Sequence, residues 1–113
     1  MKKTDLSLFV ALLKAEGFPE PTPEYRFCER RWRFDLAWVK PKIAFEREGG
    51  VFQRGRHTRG VGYSGDIEKY NEAALAGWLV IRATPAQIKS GEATSWLIEA
   101  MNRRLEEISG RLT

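Results

Sequence analysis

Arg31-Trp32-Arg33-Phe34-Asp35-Leu36-Ala37-Trp38-Val39, then Lys40-Pro41, then Lys42-Ile43-Ala44-Phe45-Glu46-Arg47-Glu48 is the stretch whose reading decides the fold. Side chains alternate with period two in both halves, as expected of strands with one buried face. Trp32, Phe34, Leu36 and Trp38 are expected on one face of the first strand, and Arg33, Asp35 and Ala37 on the other. In the second strand Ile43 and Phe45 oppose Ala44, Glu46 and Glu48. Lys40-Pro41 reads as a turn, and symmetrical pairing about it sets Trp38 against Ile43, Asp35 against Glu46 and Arg33 against Glu48. That register agrees with the alternation of the side chains.

Working outward, Thr4 and Asp5 are expected to cap a helix carrying Leu6, Phe9, Val10 and Leu13 at helical spacing. Gly17 and the proline-rich stretch up to Pro23 end it. Residues 24–28 read as a short strand. Residues 49–65 are rich in Gly and Arg and poor in apolar side chains, a loop of unusual length for a compact domain. Ser64 or Asp66 is expected to open a helix running through Asn71 and Leu75 to Gly77. Residues 78–83 read as a strand, and Thr84-Pro85-Ala86-Gln87 has the form of a capping box with Pro at the first helical position. A last helix over about residues 93–108 carries Leu97, Met101, Leu105 and Ile108 on one side. The order helix, strands, loop, helix, strand, helix in 113 residues predicts one domain, residues 1–113. Its class is α/β, with a mixed central sheet flanked by helices. Trp32, Trp38, Trp78 and Trp96 are expected in its core.

A hydrophobic fraction of 42% excludes a disordered chain. The net charge of +4 and the pI near 9.5 favour an anionic partner, of which nucleic acid is the commonest, although so modest a charge does not decide it. With Cys28 as the one cysteine, no internal disulfide forms, and one Cys with one His cannot build a Cys/His structural zinc site. Cys28 reads as structural rather than reactive. The chain lacks a secretory-signal pattern and an apolar run of membrane-spanning length, so an intracellular, soluble protein without a membrane partner is expected.

If Asp35 faces Glu46 across two strands, two like charges are neighbours, an arrangement that destabilises unless something offsets it. A divalent cation is one such offset, because Mg²⁺ (or Mn²⁺) takes carboxylates, backbone carbonyls and waters. The small Ala37 and Ala44 leave room for a backbone or ligand to approach. A solvated acidic strand face is the plain alternative. The Asp on the adjacent strand, opposite a strongly apolar face, favours the metal. On this reading, removing one of the crowded acids leaves stability unchanged or slightly raised.

Phe34-Asp35 followed by Phe45-Glu46-Arg47-Glu48-Gly49-Gly50 resembles the D…E-x-(D/E/K) core of the PD-(D/E)XK nuclease superfamily. Residues 31–82, closing on Gly77-Trp78-Leu79-Val80-Ile81-Arg82, resemble small phage and prophage endonucleases related to very-short-patch-repair endonucleases. The resemblance implies a restriction-endonuclease-like fold and a Mg²⁺-dependent endodeoxyribonuclease that hydrolyses phosphodiester bonds with a metal-activated water. It implies a cytoplasmic setting, in a bacterium or a phage-infected host. Asp35 and Glu46 would be metal ligands, together with the backbone carbonyl of Arg47. Glu48 stands where many members have Lys and would be a further ligand or orient the water, and Lys69 could supply the migrated ammonium. Glu16 and Glu24 are both candidates for an upstream acid. A structure-selective junction resolvase, which would act as a homodimer to cut two strands, and a DNA-binding protein without catalysis are the rival functions.

The loop Gln53-Arg54-Gly55-Arg56-His57-Thr58-Arg59-Gly60 combines arginines with glycines, suiting phosphate contact, and Arg30, Arg31 and Arg33 form a second basic cluster near the acids. Arg31, Arg33, Arg54, Arg56 and Arg59 are therefore the expected DNA contacts. His57 fits a general acid, a general base or a phosphate donor, and equally a plain surface residue. Phe52 could stack on bases, though packing is the better reading.

Overall fold

The computed structural model describes residues 6–49 and 61–112. Its element order is α1 (Ser7–Ala15), β1 (Thr22–Arg26), β2 (Arg33–Trp38), β3 (Ile43–Arg47), α2 (Val61–Leu75), β4 (Leu79–Ala83), α3 (Pro85–Ser90) and α4 (Glu92–Leu112). The strands form one mixed sheet in the order β1-β2-β3-β4. The first two pairs are antiparallel and β3 runs parallel to β4, so α2 is the crossover that a parallel pair requires. The expected hairpin forms: Lys42 N–H donates to the Val39 carbonyl at 3.1 Å, and Trp38 pairs with Ile43, Ala37 with Ala44 and Leu36 with Phe45.

The sheet has helices on both faces. One face carries Leu36, Trp38, Ile43 and Phe45, with Leu79, Ile81 and Ala83 of β4. It packs against Leu6, Phe9 and Leu13 of α1 and Ala93, Leu97 and Ala100 of α4. Phe45, fully buried and 4.9 Å from the Phe9 ring centre, contributes ~2 kcal/mol or more by burial alone. The other face carries Phe34, Ala37 and Ala44 against Ala73 of α2 and Trp78. The space left by Ala37 and Ala44 is thus used by a helix, with Ala73 fully buried.

Strict alternation fails at one place. Phe34 was expected beside Leu36 and Trp38 but packs on the opposite face, stacked on Phe27 and tilted against Trp78. The β1–β2 register passes from Tyr25↔Phe34 to Pro23↔Leu36 and skips Glu24 and Asp35, and Glu24 has φ 49. A left-handed residue breaks the pleat there, and Phe34 gains an aromatic pocket as the strand reverses its facing. Two tryptophans also depart from the core expectation. Trp38 and Trp78 are buried, whereas Trp32 is half-buried under the Arg30 guanidinium and Trp96 is 37% exposed.

At the helix ends, Gly17 (φ 102) terminates α1, and the first described residue, Leu6, is its N-cap without a side-chain hydrogen bond. Thr4 and Asp5 lie outside the described residues, as do Phe52, Arg54, Arg56, His57 and Arg59 of the loop. The helix expected from Ser64 or Asp66 begins at Val61. Thr84 and Gln87 form the full reciprocal capping box of α3. On α4, Leu97 and Met101 pack into the core while Leu105 and Ile108 are exposed. Arg104 ties α4 to two turns, donating to the carbonyls of Pro41 (2.7 Å), Lys42 (3.2 Å) and Gly77 (2.8 Å). No helix among the described residues is long and apolar enough to cross a membrane.

Candidate functional site

β3 and β4 end side by side, and the parallel register pairs Ala44 with Val80 and Glu46 with Arg82. Period two carries Glu46 and Arg82 to the α2 side of the sheet, at the carboxyl ends of the two parallel strands, where open α/β sheets usually hold ligands. Lys69 and Tyr70 descend onto them from α2, because Ala73, one turn further along, seats that helix on the sheet.

Glu46 is the centre of the cluster and is 8% exposed. Its Oε2 accepts from Lys69 Nζ at 2.7 Å, and its Oε1 accepts a short hydrogen bond from the Tyr70 hydroxyl. Burial pushes the Glu46 carboxyl above its ordinary value of 4.5, aided by the nearby Asp35 charge. The Lys69 and Tyr70 hydrogen bonds and the Lys69 charge oppose that rise without cancelling it. The Tyr70 hydroxyl is driven well above its ordinary range, first by burial and then by the Glu46 charge, so it stays a donor.

Asp35 is half-buried, and its Oδ2 accepts the backbone N–H of Arg47 at 2.8 Å. It therefore splices β2 to β3 just past the last paired residues. In an extended strand the N–H and C=O of one residue leave on the same edge, so the Arg47 carbonyl also points toward β2. The neighbouring N–H, that of Glu48, leaves the other way and donates to Ala83 at 2.8 Å.

Glu48 does not meet Arg33. Its Oε2 is 2.6 Å from Arg82 Nε, and that hydrogen bond is the main cause of the raised Arg82 pKa. The Arg82 guanidinium in turn lies 4.2 Å from the centre of the Tyr70 ring. The Lys69 ammonium makes a second bond to the Arg33 carbonyl at 2.8 Å. It is therefore an ammonium, with a tyrosine hydroxyl, that offsets the crowding of Asp35 and Glu46 here. Removing Asp35 would leave the Arg47 N–H without this acceptor, a loss that works against any relief of repulsion.

Of the sequence-derived site residues, Asp35, Glu46 and Lys69 come together, the Arg47 backbone joins them, and Glu48 is drawn aside to Arg82. Among the described residues, no three His, Cys, Asp or Glu side chains converge on a metal-sized point. Carboxylates and a backbone carbonyl are donors of the kind Mg²⁺ takes, usually one or two protein carboxylates with several waters. Glu24 lies between Pro23 and Tyr25, whose partners Leu36 and Phe34 flank Asp35, while Glu16 is the exposed C-cap of α1. Arg31 is exposed just before β2, Arg33 is exposed as its first residue, and Arg30 pairs with Glu68 at 3.3 Å.

The sequence pattern by itself assigns Tyr70 and Arg82 no role. Arg82 had a detectable signal: period two in Leu79-Val80-Ile81-Arg82 sets it on the face of Val80, opposite the apolar Leu79 and Ile81. Tyr70 had none, since its partner depends on where α2 crosses the sheet. No family model, no curated protein and no solved structure matches the chain.

Proposed function

We propose that this protein is a Mg²⁺-dependent DNA endonuclease of the restriction-endonuclease-like kind. The observation that carries the reading is the grouping of Asp35, Glu46, the Arg47 backbone and the Lys69 ammonium at the carboxyl ends of β3 and β4. A bound Mg²⁺ would supply Lewis-acid polarisation of a phosphodiester oxygen and a lowered pKa for an attacking water. Asp35, Glu46 and the Arg47 carbonyl would hold it. Lys69 has three N–H donors, of which Glu46 and the Arg33 carbonyl take two. The third is available to an anionic phosphate oxygen, in a half-buried setting where its charge is weakly screened. Arg31 and Arg33 would engage the phosphate backbone beside the site, with the loop residues Arg54, Arg56, His57 and Arg59 as further contacts.

The pairing of Glu48 with Arg82 favours a second reading, a DNA-binding protein without catalysis, because it withdraws the residue at the position where many nucleases of this type have Lys. Incubation with duplex, mismatched, branched and single-stranded DNA, with and without Mg²⁺, separates the two. The endonuclease reading expects Mg²⁺-dependent cleavage that Asp35→Ala abolishes. Preference for branched DNA would identify a junction resolvase, and binding without cleavage in Mg²⁺ or Mn²⁺ would leave the catalysis-free protein.

A further inference from the structure

Lys69 and Tyr70 are consecutive residues of one helix, so their side chains leave it about 100° apart. Both nevertheless reach Glu46, one from each side: Lys69 takes Oε2 and Tyr70 takes Oε1. A carboxylate held by one oxygen can still swivel about its last bond, whereas one held at both oxygens has a defined plane. Each oxygen has two lone pairs, so a second remains on each for another partner. Behind Tyr70 stands Arg82, 4.2 Å from the ring centre, and behind Arg82 stands Glu48 at 2.6 Å. The chain Glu48–Arg82–Tyr70–Glu46 therefore runs from an exposed ion pair into the buried carboxylate.

We propose that Tyr70 is a positioning residue for Glu46: with Lys69 it fixes the carboxylate plane so that the free lone pairs serve a divalent cation shared with Asp35. Arg82 braces the Tyr70 ring, and Glu48 acts on the site through Arg82 rather than by touching the cation. This rests on the metal reading above. Groups that orient a ligating side chain are worth ~10- to 100-fold in metal affinity. Tyr70→Phe keeps the ring and its packing against Arg82 while removing the one hydroxyl that holds Oε1.

The test is a titration of the DNA-free protein with Mn²⁺, reading free ion by electron paramagnetic resonance. Wild type should bind one Mn²⁺ and Asp35→Asn should lose it, which identifies the site. Tyr70→Phe should bind ~10-fold more weakly, while still unfolding cooperatively in chelator at a temperature lowered by the lost hydroxyl bond. Arg82→Lys, which keeps the charge but not the planar group over the ring, should show a smaller loss. It also tests the idea if Tyr70→Phe fails to fold. Affinity in Tyr70→Phe equal to wild type or tighter would overturn the positioning role and leave the metal site standing. So would unchanged affinity in Arg82→Lys if only that variant folds. Absence of Asp35-dependent Mn²⁺ binding in wild type would overturn the metal reading, and the positioning role with it.

Discussion

Replacing Lys69 by Met would leave Glu46, its side chain 11% exposed, beside Asp35 without the ammonium that sits 2.7 Å away. Deleting one partner of a fully buried ion pair costs ~3–5 kcal/mol. The residual exposure and the retained Tyr70 bond put this case at the lower end, about 3 kcal/mol at pH 8. Glu46 has an escape: it can take up a proton. Its pKa is already raised by burial, and losing Lys69 raises it further. A carboxyl whose folded pKa exceeds its unfolded value contributes stability that is complete at low pH and is lost as the pH climbs through the folded pKa. The penalty of Lys69→Met should therefore shrink on acidification, by at most about 1.4 kcal/mol per pH unit. Urea unfolding followed by tryptophan fluorescence reads this directly, since Trp38 and Trp78 are buried. With an m value of roughly 1.5 kcal/mol/M, a loss of about 3 kcal/mol moves the midpoint down by about 2 M at pH 8. The shift should be clearly smaller at pH 5, and Lys69→Met combined with Glu46→Gln should recover at least half of it. A loss identical at both pH values, or a double variant no better than the single, would refute the argument that an uncompensated Glu46 charge is the cause.

Wild-type stability should itself fall as the pH rises from 4.5 through the raised Glu46 pKa, and Glu46→Gln should flatten that part of the stability profile. Asp35→Ala strands the Arg47 N–H and should cost ~1–2 kcal/mol in urea unfolding, whereas Asp35→Asn keeps a carbonyl acceptor and should cost less. Arg104→Met removes three bonds to backbone carbonyls and should cost ~2 kcal/mol, with faster hydrogen exchange at Lys42 and Leu79 where the two turns meet. Thr84→Ala breaks the capping box and should cost ~1 kcal/mol without affecting DNA binding. If DNA is the partner, affinity should fall steeply with salt, and Arg31→Ala with Arg33→Ala should flatten the slope.

Local chemistry was enough for the hairpin and several helix ends, though not for the bounds of β1, which spans Thr22–Arg26 rather than residues 24–28, or for the start of α2. Period-two alternation about Lys40-Pro41 determined the β2–β3 hairpin and its register down to Trp38↔Ile43. Gly17, Gly77 and the Thr84 capping box determined where helices stop and start. The same alternation set Glu46 on the face opposite Phe45, and Lys69 was already a candidate. These features lie within a few residues of their causes. What needed the tertiary structure depends on how separate elements meet. The facing of Phe34 follows from a pleat broken at Glu24 and Asp35, which only the β1–β2 pairing reveals. The partner of Glu48 is Arg82, 34 residues away, because β4 runs parallel to β3 in a register that no local pattern specifies. Tyr70 reaches Glu46 because the buried Ala73 lets α2 approach the sheet. A strand's own sequence determines which of its side chains share a face, but the charges and hydroxyls brought to that face come from elements whose approach is set by packing.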